Sequence, residues 1–188
     1  AAIRMMAELA ARVGRRADSE NLLRRAIELA PGWAAPRANL ANLLNRMHRS
    51  AEALAELDKI SAPEGMDADG QRSLRAAVLI ELGGYEEAIS LYRQVLGRHP
   101  HQPRIWMSLG HILKTVGELQ EGIAAYRRAL SIAPGLGEAW WSLANLKTVR
   151  FTNEDIAAMR SALESDDLAE EDRLQLHFAL GKALEERR

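Results

Sequence analysis

The chain contains no cysteine in its 188 residues, which excludes disulfides, thiolate metal sites and a cysteine nucleophile. Aromatic residues are scarce, at 5%. No apolar run reaches the roughly eighteen residues that a membrane-spanning helix needs. The opening stretch, "AAIRMMAELAARVGRR", is broken by Glu8 and several arginines and so does not read as a signal peptide. A cytoplasmic location suits this composition. An excess of either charge is also lacking: Lys+Arg number 25 and Asp+Glu 26, so a general nucleic-acid binder is not expected. Apolar residues make up 47% of the chain, too many for a disordered one. The charge is unevenly spread, and the C-terminal region, with "ESDD" and "EEDR", is acidic. That reads as a solvated face.

Catalytic signatures are missing as well. No glycine-rich phosphate loop, HExxH zinc motif or GxSxG nucleophile elbow occurs. The cluster "PGLGEAW" follows a helical pattern rather than a strand, which argues against a dinucleotide site, and the acidic runs lack EF-hand spacing. Of the five histidines, His99 and His101 lie in the turn "GRHPHQP" and read as loop residues rather than a metal pair. His48 stands where a turn glycine belongs, and His177 at a bulky packing position. The chain is therefore expected to be non-enzymatic, with no cofactor and no metal.

What is present is a repeat. "AISLYRQVLGRHP" (88–100) superposes on "GIAAYRRALSIAP" (122–134) at an offset of 34, which Gly83/Gly117, Tyr92/Tyr126 and Pro100/Pro134 all keep. "LLRRAIELAPG" (22–32) matches "AYRRALSIAPG" (125–135) at 103, three periods plus one residue, with the extra residue assigned to 61–70. Each period holds two amphipathic helical patterns, the first ended by Gly or a polar residue and the second by Pro. The spacing predicts helix pairs at 2–13/17–29, 34–46/50–60, 70–82/85–97, 103–116/119–132 and 137–149/153–164, then a last helix over about 169–186. No segment alternates with period two over a strand length, so the fold class is all-α.

The fourth unit carries a family resemblance. Trp106-x2-Leu109-Gly110-x2-Leu113, followed by Gly122-x3-Tyr126, Ala129 and Pro134, resembles the tetratricopeptide repeat (TPR). The resemblance implies a right-handed superhelical solenoid of antiparallel helix pairs. Its units would be 1–33, 34–68, 69–102, 103–136 and 137–168, with a partial unit or capping helix at 169–188. Small residues (Ala7, Ala41, Ala76, Gly110, Ala144 and Gly181) would let the two helices of a unit approach, while Trp106, Leu109 and Tyr126 fill the space between units. Arg75 departs from the pattern and implies either a rotated helix or an ion pair. Unit five lacks its turn glycine, and the half repeat at the end implies a fragment of a longer protein or a cap.

In TPR arrays the first helices of successive units line a concave groove for a peptide or protein. With Trp106 and Trp140 at position 4, position 5 reads Arg4, Ala38, Ser73, Met107, Trp141, Phe178, and position 9 reads Glu8, Asn42, Ala77, His111, Asn145, Lys182. Trp140 is thus expected in the core, and Trp141, 100° further round the helix, in the groove. Met107, Trp141 and Phe178 form an expected apolar stripe beside polar His111, Asn145 and Lys182. Arg104 and Lys114 flank it, Asn39 and Asn42 continue it toward the N-terminus, and the irregular linker at 150–168 decides whether Phe178 stays in line. The chaperone-binding carboxylate clamp is not expected: Arg4 and Asn39 fit two of its places, but Glu8, Gly70 and Leu74 occupy others. An asparagine ladder like that of O-GlcNAc transferases is only partial, in "NLANLL" and "SLANLK".

The C-terminal part, with "LKTVRFTNEDI" and "LHFALGKALE", resembles the TPR region preceding the sulfotransferase domain in bacterial TPR-sulfotransferase proteins. That resemblance implies a role in recognising the substrate of a catalytic domain that these residues do not contain. Three functions follow as expectations. The first is a protein-protein interaction module that binds a partner in its groove, and the second is the recognition region of a sulfotransferase. The third is a scaffold that assembles as a homo-oligomer. None calls for nucleic acid or a membrane.

Overall fold

A computed structural model describes residues 2–60 and 67–185. Among these residues there are eleven α-helices and no strand. Two compact units result, Ala1–Val95 and Leu96–Arg188, with the boundary inside one helix.

Unit 1 contains α1 (Ala2–Arg12), α2 (Arg16–Leu29), α3 (Ala34–Arg46), α4 (Ser50–Asp58), α5 (Asp67–Glu81) and most of α6 (Tyr85–Arg98). α1 packs on α2 and α3 on α4 as hairpins, and α3 also meets α2 and α5. The core is built from Ala7, Leu23, Leu40, Ala41, Leu44, Ala53 and Val78. The small side chains at Ala7, Ala41 and Ala76 are fully buried, so the helices lie close. Turns between paired helices need a left-handed residue, supplied by Gly14, Gly83 and Gly117, and His48 takes the same conformation at φ 58°. The step from His48 to Gly83 is one residue longer than the others. The extra residue therefore falls between them, where part of the expected 61–70 segment lies outside the described residues. Arg75 is ion-paired: its guanidinium reaches Asp58 Oδ1 at 2.7 Å and Glu87 Oε1 at 3.3 Å. That is why a charge is tolerated where Leu is usual.

Unit 2 contains α7 (Pro103–Thr115), α8 (Leu119–Ile132), α9 (Gly137–Ala144), α10 (Asn153–Leu163) and α11 (Glu170–Glu185). Gly110 holds α7 against α8, since a Cβ there would lie 2.7 Å from the Tyr126 ring. The 34-residue period is repeated in the bonding. Trp106 Nε1 donates to Pro100 O and Trp140 Nε1 to Pro134 O, each at 2.8 Å.

The fifth pair departs from expectation. α9 stops at Ala144 rather than 149, because the following stretch turns its apolar side chains into the core instead of continuing the helix. Val149 and Phe151 are buried in the same cluster as Trp140, Met159 and Leu176, with the Phe151 ring 6.0 Å from that of Trp140. Thr152 then starts α10 with a capping box: its Oγ1 accepts from Asp155 N, and Asp155 Oδ2 accepts from Thr152 N. Arg127 of α8 pairs with the other oxygen of Asp155, tying the α10 start to α8.

α11 corrects the expected register by one residue. Leu176, Ala179 and Ala183 are buried, whereas His177 is exposed and Gly181 has open space around it. The packing pattern is Leu176-x2-Ala179-Leu180-x2-Ala183, so His177 is not the bulky residue in the interface. α11 lies against α9 and α10. Its residues bracket α9: Asp172 Oδ1 accepts from Gly137 N at 2.9 Å, and Lys182 Nζ donates to Ala144 O at 3.1 Å. A carboxylate at one end of α9 and an ammonium at the other both complement its dipole.

Candidate functional site

Four of the expected groove residues come together in unit 2. Trp141 and Asn145 are one helical turn apart at the end of α9, and Asn145 Nδ2 donates to Trp141 O at 2.9 Å. Lys182 Nζ, from α11, reaches Asn145 Oδ1 at 3.2 Å and lies 5.8 Å from the centre of the Phe178 ring. Trp141 is 42% exposed and Phe178 51%. Their large apolar faces therefore lie open beside an amide and an ammonium whose bonds to each other fix their positions. Phe178 stays beside this group although its helix register is shifted.

Leu174, at 72% exposed, enlarges the open surface and falls outside the expected stripe. Leu174 and Phe178, one turn apart, lie on the face of α11 away from Leu176, Ala179 and Ala183, and Leu184 is exposed between the two faces. A helix apolar on two faces is normally covered on both. The signal was available in "LQLHFAL", whose leucines and Phe178 cannot all fit one buried stripe.

The other expected residues are placed differently. Met107 is buried and belongs to the core cluster with Ala139, Trp140 and Leu143, so it offers no anchor. A bulky position 5 becomes core wherever the next unit covers it. His111 sits in its own half-buried group, its Nδ1 2.9 Å from the Tyr126 hydroxyl and the two rings edge to face. Its Nε2 has no hydrogen-bond partner, and Glu138 Oε1 lies 3.2 Å away. Burial holds the His111 pKa below its usual value against the pull of Glu138, and burial pushes the Tyr126 hydroxyl up to about 12. The pair is thus a neutral contact joining α7 to α8. Arg104 and Lys114 are exposed on α7. Asn39 and Asn42 lie in unit 1, on the wall of a cavity of about 580 Å³.

Chemically, the Trp141–Phe178 surface offers flat apolar area with adjacent hydrogen-bonding groups. Among the described residues, no group of three His, Asp or Glu side chains could hold a metal. No described helix is long and apolar enough to cross a membrane.

The helix-pair architecture and the 34-residue bonding pattern define the class. The fold is that of TPR solenoid structures. Residues 73–137 match the family model described as tetratricopeptide repeat. Among solved structures the chain is similar to MamA residues 41–end from Desulfovibrio magneticus RS-1, at 17% identity and TM-score 0.66, covering 98% of this chain and 93% of that one. It is similar to TTC0263, a thermophilic TPR protein of Thermus thermophilus, at 18% identity and TM-score 0.67, covering 95% and 97%. A third is YrrB, a TPR protein with an unusual peptide-binding site, at 16% identity and TM-score 0.63, covering 97% and 84%. Comparison with curated proteins gives no match.

Proposed function

We propose that the chain is a protein-protein interaction module, and that in unit 2 the partner docks on Trp141 and Phe178. The observation that carries this reading is the exposure of two aromatic rings beside the fixed pair Asn145 and Lys182. Exposed aromatics near polar groups are the usual make-up of an interface hot spot. A peptide laid across them would stack on the rings and bond to the Asn145 amide and Lys182. Trp141→Ala and Phe178→Ala are each expected to weaken a partner peptide selected on the wild-type chain by about tenfold or more. Fluorescence anisotropy measures this, and unchanged affinity in both variants would remove the surface from the account.

The resemblance to sulfotransferase-linked TPR regions supports a narrower version, in which this surface positions an acceptor for a catalytic domain in cis. Within it, "TVRF" has a packing role, since Val149 and Phe151 are core residues. Sequence coding for a sulfotransferase-like domain after Arg188 would support this version, and an unrelated domain there would end it.

A second reading, self-association, is favoured by the two-sided apolar character of α11. Here a second copy covers Leu174, Phe178 and Leu184. Mass in sedimentation should then rise with concentration, and Leu174→Ser should return it to that of the monomer. A concentration-independent monomer would exclude self-association and leave the peptide reading intact.

A further inference from the structure

The first and last helices of the chain both turn an apolar stripe to solvent. In α1 the buried side is built around Ala7. Met5, Met6, Leu9 and Val13, spaced i, i+1, i+4 and i+8, fall on the other side, and each is more than half exposed. In α11 the exposed side carries Leu174 and Phe178. Gly181 continues it with open space around the backbone, so a covering helix can come as close there as α8 does to α7 at Gly110. The charges that border the two stripes are opposite in sign. Arg12 is exposed three residues beyond Leu9, and Arg15 and Arg16 follow just after Val13. On α11, Glu171, Leu174, Phe178, Gly181 and Glu185 are spaced i, i+3, i+7, i+10 and i+14, which keeps all five on one face. The imbalance extends to the surrounding sequence: residues 1–16 hold four arginines and one glutamate, and residues 164–185 hold seven acidic and two basic side chains.

We propose, resting on the self-association reading above, that the α11 face is covered by α1 of a second copy, so that copies join head to tail. Charge selects this pairing from the three that two exposed stripes allow. Two α11 helices would put Glu171 and Glu185 of both copies into one contact, and two α1 helices would do the same with Arg12. Like charges brought together at an interface are penalised. α1 on α11 instead covers apolar surface on both sides and sets arginine near glutamate. Such a contact is heterologous: each joined pair retains one free α1 and one free α11, and growth is not limited to a dimer.

Sedimentation velocity over a concentration series tests the pairing with two variants, Met5→Ser/Leu9→Ser on α1 and Leu174→Ser on α11. All three side chains are exposed, and circular dichroism melts check that the variants fold. The mass of the wild type is expected to rise with concentration, and each variant alone to stay at monomer mass. An equimolar mixture of the two should form a dimer and nothing larger, because one variant supplies an intact α11 and the other an intact α1. Arg12→Glu should weaken the association of the otherwise wild-type chain about tenfold or more, and adding Glu171→Arg/Glu185→Arg to the same chain should restore it. A mixture that stays monomeric, an α1 variant that assembles like the wild type, or an Arg12→Glu chain that associates unchanged would overturn the head-to-tail pairing while leaving self-association in place. A wild type that stays monomeric at every concentration would overturn both.

Discussion

Trp140→Ala is expected to lower stability by about 3–5 kcal/mol, and Trp141→Ala, at the adjacent residue, by no more than about 0.5 kcal/mol. Trp140 is 3% exposed, lies against Phe151 and donates its indole N–H to Pro134 O. Truncation would leave a cavity among Leu143, Met159 and Leu176 and an unpaired carbonyl. Trp141 makes no such contacts and is nearly half exposed. Denaturant unfolding followed by circular dichroism compares the two. Equal losses would mean that both rings are packed, and the partner surface would have to be abandoned.

Gly137→Ala is expected to cost about 3 kcal/mol, an overpacking penalty in which backbone must move. A Cβ at Gly137 would lie 2.3 Å from Asp172 O and 2.7 Å from Asp172 Cα. Only displacement of α11 relieves that clash. Displacement also breaks the Asp172 bond to Gly137 N and the Lys182 bond to Ala144 O. Hydrogen exchange should therefore quicken throughout α11. Gly181→Ala provides the contrast: with open space around it in a helix interior, it should stabilise by up to about 1 kcal/mol. A destabilising Gly181→Ala would restore the register in which Gly181 faces the core.

The pairs of helices were legible because the 34-residue offset carries their turn and packing residues together, from Gly83/Gly117 to Trp106/Trp140. Local periodicity placed most boundaries within a few residues. It failed at 145–152, where Val149 and Phe151 pack on a tryptophan distant in the helix hairpin, which no local pattern records. It failed by one residue in α11, because "LHFALGKAL" supports two apolar stripes and only contact with α9 selects Leu176. At the candidate site, the difference between Trp140 and Trp141 followed from the resemblance, which puts Trp140 at the packing position, together with the 100° of helix turn between the two. The burial of Met107 did not, since that depends on what the next helix covers. The bonds of Lys182 to Ala144 and Asn145 are a tertiary feature as well.

The adjacent tryptophans also allow the most direct test of the interaction surface. The indole N–H resonances of the chain separate by role, with Trp106 and Trp140 bonded to proline carbonyls and Trp141 at the proposed surface. When a peptide selected on this chain is titrated in and followed by nitrogen–proton correlation spectra, the Trp141 indole and the Phe178 and Lys182 amides should shift progressively. The Trp106 and Trp140 indoles should stay in place. Saturable binding that leaves Trp141 and Phe178 unmoved would contradict the account.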